Sequence, residues 1–394
     1  MTRYTPTSEA DVCEIVREAS ARRTQLAIQG SGTKRAFGRP AQFDSILSSS
    51  QMTRVTLYEP AEFVISAEPG ASLSEIVRLL AEHRQELAFE PLDYRPLLGC
   101  DGEPTIGAVA AMNLSGPRRI ACGAARDSSL GLRFVNGRGE AIKSGGRVMK
   151  NVTGLDLVKI MVGAYATLGF LTEVTFKFVP SAPRCATLCL ADLSDQTAIA
   201  ALSAALGAPY DVSGAAHLPA VVGGGARTLV RVEGFPESVE YRLGELLSLL
   251  KRFGAAEVLA DDTGRGLWQA IRDATVLAEP RDAAIWRIST APSKGPDVAA
   301  RIARAVEAGW FFDWGGGLIW LACPTADSAG AATIRGAIRK AGGHATLVRT
   351  PEEVRAAVDI FDPPVEAVAR LQAGLKTSLD PAGIFNPGRM FPEL

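Results

Sequence analysis

The chain has 394 residues, of which 47% are hydrophobic and 22% charged, with a formal net charge of −1. That length allows two or three domains with proper cores, and the even charge balance argues against a nucleic-acid partner. No window offers the roughly 18 uncharged apolar residues of a membrane span, and no basic, apolar and small-residue leader opens the chain. The expected compartment is the cytoplasm, with any attachment to the inner membrane peripheral and made through partners, and no direct membrane insertion.

The first elements are regular. Ser8 with Asp11 predicts a capping box, and Val12, Ile15, Val16 and Ala19 predict one apolar stripe of a helix over 8–23. A short strand at 26–29 runs into Gly30-Ser31-Gly32, and 54–58 and 63–67 alternate like paired strands. Ser72 and Glu75 cap a second helix through Glu82. From 91 to 131 the chain shifts to Gly, Pro and Ala with little periodicity. A hairpin follows at 130–143 around Asn136-Gly137, then a short buried helix at 156–162 and a long strand at 169–179.

Pro180-Ser181-Ala182-Pro183 marks a domain boundary. Beyond it, strands at 186–190, 228–233, 285–289 and 317–322 alternate with helices at 197–206, 237–253, 298–308 and 329–341. Two such passes predict helices on one face of an antiparallel sheet. A last helix at 365–379 leads to a tail expected to return to the first domain. The expected domains are 1–180, 181–355 and 356–394.

Two segments carry chemistry. After the strand, Gln29-Gly30-Ser31-Gly32-Thr33-Lys34 exposes successive backbone N–H groups, because glycine tolerates positive φ, and hydroxyls and an ammonium stand beside them. Such a nest binds phosphate, although the same turn occurs in loops without a ligand. It is not a dinucleotide fingerprint, since Arg35 replaces the third glycine, and no Gly-Lys pair makes a P-loop. The second segment, Thr105-Ile106-Gly107-Ala108-Val109-Ala110-Ala111-Met112-Asn113-Leu114-Ser115-Gly116-Pro117-Arg118-Arg119, has five Gly or Ala positions that let backbone approach an extended ligand. Thr105, Asn113 and Ser115 are polar handles, and the two arginines offer charge for a diphosphate. The competing reading is a tightly packed small-residue helix and turn with solvated arginines. The six cysteines, at 13, 100, 122, 185, 189 and 323, include no Cys-x-x-Cys pair, so no iron–sulfur or zinc site is expected within this chain and no metal is assigned.

These segments, with Gly123, Arg126-Asp127, Lys150-Asn151-Val152-Thr153-Gly154 and Thr167-Leu168-Gly169-Phe170-Leu171, resemble the FAD domain of the vanillyl-alcohol-oxidase/PCMH superfamily. The Arg118-Arg119 pair and the closing Phe385-Asn386-Pro387-Gly388-Arg389 make the chain most similar, within it, to the FAD-binding subunits of bacterial glycolate oxidases (glycolate dehydrogenases). The resemblance implies an α+β chain: a PCMH-type FAD-binding domain with a ferredoxin-like antiparallel cap. It implies a diphosphate on the first loop, the flavin along 105–127, backbone near Leu171 at the adenine, and Asn386 on the flavin side. Gln29, Gly30, Ser31, Gly32, Thr33, Lys34, Thr105, Ile106, Gly107, Asn113, Ser115, Gly116, Gly123, Asp127, Thr167, Gly169, Leu171 and Asn386 are therefore the cofactor candidates. Leu155 and Gly163-Ala164 depart from the family's Tyr and Gly-Ser. A histidyl–flavin bond is not expected, because the loop at 29–38 holds no His; Cys122 is the one thiol near the second segment, and non-covalent FAD is the expectation.

Related D-2-hydroxyacid dehydrogenases hold the substrate carboxylate with cap-domain arginine and lysine and use a His-rich glycine turn for metal and base. Arg287 stands where the carboxylate arginine belongs, unless it is a surface strand residue. The turn Asp313-Trp314-Gly315-Gly316-Gly317 has no His; Asp313 is a candidate base or a solvated strand end. Trp310, Trp314 and Trp320 read as core or flavin packing. His83, His217 and His344 are remote in sequence from every motif. The expected role is a flavin-carrying, electron-passing subunit beside a homologous FAD-containing catalytic subunit and an iron–sulfur subunit, with a small hydroxyacid as substrate. A self-sufficient FAD dehydrogenase and a flavin-free scaffold are the alternatives.

Overall fold

The computed structural model describes residues 1–147 and 155–392. The run from Lys150 to Gly154 that contributed to the resemblance lies outside them. Thr2–Tyr4 and Leu26–Gln29 flank Ser45–Ser48 in an all-parallel three-stranded sheet. Parallel pairing needs a crossover, and the helix Glu9–Arg22 supplies one. Its capping box forms as expected: the Ser8 hydroxyl accepts from the Asp11 N–H, and the Asp11 carboxylate accepts from the Ser8 N–H. Val12, Val16, Leu26, Leu47 and Phe170 pack with Phe385 in one cluster. The tail returns here, since the Leu26 N–H donates to the Ile384 carbonyl at 2.8 Å and Leu26 bridges Phe385 in parallel.

A second, five-stranded antiparallel sheet runs Val55–Glu59, Val64–Ala67, Phe170–Lys177, Ser129–Val135, Ala141–Gly145 in spatial order. The helix Ile106–Met112, capped by Thr105, packs on the strand Phe170–Lys177, so the small-residue stretch is partly helical.

The third sheet has eight antiparallel strands in the order Ala256–Val258, Arg184–Ala191, Arg227–Gly234, Val212–Leu218, Gly309–Asp313, Leu318–Cys323, Ala284–Ser289, His344–Arg349. Its two four-stranded halves meet through the single pairing of His217 with Phe312. Helices Asp195–Leu206, Pro236–Leu250, Gly295–Ala303 and Ala331–Ala341 bury Ile199, Leu243, Ile302 and Ile334 with strand residues such as Trp286, Phe312 and Ile319. Alternate residues face the other way: Ile285, Phe311, Trp320 and Val348 share a core with Phe89, Ile106, Val109 and Phe176 of the first layers. Each such buried side chain contributes about 1.5–3 kcal/mol, so the cap sheet is welded to the nucleotide-type layers rather than tethered to them.

Three features correct the sequence reading. The strand Val212–Leu218 is buried at all seven positions, so it shows no alternation to read. Gly309–Asp313 and His344–Arg349 are further strands that the helical pattern around them obscured. The helix Asp261–Arg272 packs Trp268 and Ile271 into the core shared with the first layers, so not every cap helix lies on one face. Among the described residues no helix is long and apolar enough to cross a membrane.

Candidate flavin site

A cleft of about 350 Å³ opens where the strand Leu26–Gln29, the helix Ile106–Met112 and the returning tail converge. Gln29, Gly30, Ser31, Gly32, Thr33, Lys34, Thr105, Gly107, Leu171 and Asn386 all line it. The two chemistry-bearing segments touch because glycine permits it. A Cβ on Gly30 would lie 2.6 Å from the Thr105 hydroxyl, and one on Gly107 would lie 2.6 Å from the Pro69 carbonyl. The loop is steadied by the Ser31 hydroxyl donating to the Glu103 carbonyl. Asn386 pins the tail: its side-chain oxygen accepts from the Ile28 N–H at 2.9 Å, and its amide nitrogen donates to the Tyr165 carbonyl at 3.0 Å.

The walls are cationic. Lys34, Arg35, Arg39, Arg355 and Arg389 line the cleft, against Glu352 as the one lining carboxylate among the described residues. Lys34 is buried, and among the described residues its ammonium donates only to the neighbouring Thr33 hydroxyl, at 3.2 Å. Loss of solvent pulls its pKa down to about 8. Arg389 spends one nitrogen on the Lys34 carbonyl, and enclosure followed by repulsion from Arg355 brings it to about 10. Arg355 donates to the Gly38 carbonyl, is also lowered by burial, and keeps a buried Nε with no partner. Buried cations with unspent donors around backbone N–H groups fit the diphosphate of FAD. Arg355 and Arg389 were not among the sequence candidates. Arg389 sits in the quoted tail motif, but nothing local marks Arg355.

The remaining cofactor candidates lie off this cleft and tie its walls together. Ile106 is core. Asn113 is left-handed at φ 53°, and its side-chain oxygen accepts from the Arg126 N–H at 2.9 Å. The Ser115 hydroxyl accepts from the Ala125 N–H. Gly116 donates to the Phe89 carbonyl, and Asp127 accepts from the Ala124 N–H beside Gly123. The Thr167 hydroxyl donates to the Ala164 carbonyl, and Gly169 packs on Phe134. Cys122 also lies off the cleft, its thiol on the Ala88 and Arg118 carbonyls.

The adjacent arginines part company. Arg118 is not at the diphosphate cleft; it pairs with Glu86 and, at 3.2 Å, with Glu233 of the cap sheet. Arg119 instead lies 4.6 Å from the Trp314 ring centroid, and Arg287 lies 4.9 Å from the same point. Arg287 is thus on the inward face of the cap sheet, not its surface. Asp313 is fully enclosed rather than solvated; its carboxylate accepts from the Trp314 N–H at 2.7 Å, and burial raises it to about 7. Trp320 is core, while the Trp310 indole donates to Asp195 on the helix side.

Two histidines acquire meaning only in three dimensions. His217 is a satisfied core residue, bonded to Thr228 and Asp195. His344 belongs to a strand whose Thr346 faces Arg287 and whose His344 faces Ser289, so its side chain shares the Arg287 face. Protein crowding around the ring, then the charges of Arg287 and Arg119, hold its pKa below the ordinary value. It is therefore not remote from the cap–cleft seam, as its sequence position suggested.

Residues 3–145 match the family described as FAD binding domain. The chain is similar to Glycolate oxidase subunit GlcE of Escherichia coli (strain K12), 33% identical over 382 residues and covering 97% of each chain. It is also similar to Glycolate oxidase subunit GlcD of Bacillus subtilis (strain 168), 28% identical over 176 residues, 44% of this chain and 36% of that one. Among solved structures, p-cresol methylhydroxylase with substrate bound superposes at a TM-score of 0.75 with 13% identity, covering 98% of this chain and 88% of its own. The 4-ethylphenol oxidase from Gulosibacter chungangensis does so at 0.74 with 16% identity, covering 99% and 89%. At those identities the likeness is one of fold. The family match and the full-length likeness make the chain an FAD-binding oxidoreductase, with a fold of the PCMH type. More narrowly, the chain belongs to the family of the GlcE subunit of glycolate oxidase.

Proposed function

We propose that this chain is the FAD-binding subunit of a multi-subunit glycolate (2-hydroxyacid) oxidase, holding FAD non-covalently and passing electrons toward an iron–sulfur partner. The observation that carries the reading is the gathering of the buried Lys34 and Arg355 and the half-buried Arg389 around the glycine loop, with a buried Arg355 Nε left without a partner and Glu352 the one lining carboxylate among the described residues. In it, residues 1–180 form the FAD-binding domain, 181–355 the cap and 356–394 the returning tail. Bound FAD supplies the two-electron acceptor. The chain's own residues do the rest: the 29–34 loop and the three cations take the diphosphate, Gly107 lets backbone approach, and Leu171 and Asn386 line the ends.

Oxidation of the hydroxyacid is assigned mainly to a homologous FAD-containing subunit, because the Asp313-to-Gly317 turn here carries no histidine. The assembly is cytoplasmic, or peripheral at the inner membrane through partners. A second reading, a self-sufficient dehydrogenase of a small hydroxyacid, is favoured by one observation: Arg287, Arg119 and His344 gather at the seam. Dye-linked turnover of glycolate and D-lactate separates the two. The first predicts flavin in the isolated chain with little turnover, restored when the homologous flavin subunit and an iron–sulfur subunit are added. Full turnover by the isolated chain contradicts it and supports the second.

A further inference from the structure

The last helix, Glu366–Leu379 with its N-cap Val365, is packed the wrong way round for an amphipathic segment. Val365, Val368 and Leu371 are exposed, and the one residue the helix buries is Lys376. A buried ammonium costs free energy unless its donors are met. Here all three are: Lys376 Nζ donates to the Thr167 carbonyl at 2.7 Å, to the Asp380 carboxylate at 2.8 Å and to the Phe385 carbonyl at 2.9 Å. The same carboxylate accepts from the Ile384 and Phe385 N–H groups. An ion pair one helical turn apart forms at a surface without any burial. What the burial adds is a junction between two carbonyls distant in sequence, Thr167 and Phe385.

Each of those carbonyls adjoins the flavin cleft. Thr167 follows Tyr165 and Ala166, and Phe385 precedes Asn386; Tyr165, Ala166 and Asn386 all line the cleft. Tyr165 and Ala166 stand at φ 54° and 55°, a left-handed pair that costs residues with a Cβ free energy and that they rarely adopt in succession. Asn386 holds the pair, its amide nitrogen 3.0 Å from the Tyr165 carbonyl and 3.4 Å from that of Ala166. Lys376 takes the next carbonyl along, that of Thr167. In this turn the Tyr165 N–H donates to the Ala111 carbonyl at 2.8 Å, on the helix Ile106–Met112. The Tyr165 ring stacks on Phe37, just past the glycine loop, with centroids 5.6 Å apart. One strained turn thus joins the loop, the helix and the tail that make the cleft.

We propose that Lys376 is a positioning residue for the flavin cleft: by clasping Thr167 to Phe385 it sets Asn386 on the left-handed pair Tyr165–Ala166 and holds that wall in the shape FAD requires. Lys376 does not itself line the cleft and acts through the turn. The proposal rests on the functional reading above, that FAD occupies the cleft, and deepens it. It makes a specific demand: a residue that is left-handed without strain needs the clasp less. Glycine at position 166 is such a residue.

The test is a double-mutant cycle on the full chain between Lys376→Met and Ala166→Gly, read by equilibrium FAD titration and by the melting temperature of the ligand-free protein. Lys376→Met is expected to weaken FAD roughly tenfold or more, the worth of a charged hydrogen bond. In the Ala166→Gly background the same replacement is expected to cost about threefold less affinity, within the coupling seen between residues of one network. Should Lys376→Met not fold, Lys376→Met/Asp380→Asn leaves no buried charge unpaired and is expected to show the same loss and the same relief. Wild-type FAD affinity in either Lys376 variant, or a loss of equal size in both backgrounds, overturns the proposal and makes Lys376 a structural residue only. A wild-type chain that takes up no FAD contradicts the functional reading instead. The clasp is then decided by the ligand-free melting temperatures: a smaller drop in the glycine background supports it, and equal drops overturn it.

Discussion

Arg231 of the cap sheet sets both terminal nitrogens on the Glu90 carboxylate, Nη1 at 2.8 Å from Oε1 and Nη2 at 3.0 Å from Oε2. The guanidinium also lies 4.7 Å from the Trp268 ring centroid and reaches the Ser213 carbonyl. This bidentate pair, with Arg118, Glu86 and Glu233 beside it, locks the cap to the layer that carries the flavin segments. Breaking one partner of a buried pair leaves the other charge uncompensated. Glu90→Ala is therefore expected to cost about 3–5 kcal/mol in denaturant unfolding. Replacing both partners with apolar residues of similar size is expected to recover much of that loss.

The cleft cations make the opposite prediction for stability. Arg355 and Arg389 are packed against carbonyls and each other with only the exposed Glu352 carboxylate, 3.7 Å from Arg355, to offset them, so they strain the ligand-free chain and serve the bound one. Arg355→Met and Arg389→Met are each expected to weaken FAD roughly tenfold or more, read by equilibrium flavin titration. The ligand-free variants are expected to melt no lower than the parent. A lower melting temperature with unchanged FAD affinity would make these residues structural.

Lys34 gives the flavin affinity a pH dependence with a definite sign. Its ammonium, at about 8 in the ligand-free fold, loses its proton above that pH, whereas a bound diphosphate favours the charged form. FAD affinity is expected to be flat below about pH 8 and to fall by up to about tenfold per unit above it, one proton being linked to binding. The ligand-free chain responds inversely: its folded pKa lies below the unfolded value of 10.5, so Lys34 makes unfolding harder as pH rises from about 8 toward 10.5. Lys34→Met is expected to flatten both curves.

Asp313 is raised from 3.8 to about 7, chiefly by burial. The folded state then holds its proton more tightly than the unfolded one, so this group withdraws stability as pH climbs from about 4 to about 7. The total is on the order of a few kcal/mol. An asparagine keeps the carbonyl that accepts from the Trp314 N–H. Asp313→Asn is expected to equal or exceed the parent in thermal stability at pH 8 and to lose this trend. A large drop in stability at pH 8 would show that the ionised carboxylate is needed.

What the sequence disclosed and what it hid divide along physical lines. Local devices were legible: the Ser8 capping box, the Ser72 helix start and the alternating strands at Val55–Glu59 and Val64–Ala67 depend on neighbours a few residues apart. The glycine loop was legible as chemistry, and its contact with Thr105 follows from the missing Cβ of Gly30. Arg355 was not, because its role comes from contact with Gly38, 317 residues earlier. Arg118 and Arg119 are neighbours in sequence with opposite fates, one neutralised by Glu233 of the cap and the other left open at Trp314. Only the seating of the cap decides between them. His344 was misplaced for the same reason, since strand pairing across more than fifty residues puts it on the Arg287 face.

The central claim is that the cationic cleft holds FAD, and the most direct measurement is the flavin content of the purified full-length chain. The account predicts a yellow protein with one FAD per chain, all of it released into the supernatant by acid precipitation and lost from the double variant Arg355→Met/Arg389→Met. A colourless chain that takes up no added FAD, or a double variant that retains it fully, contradicts the account.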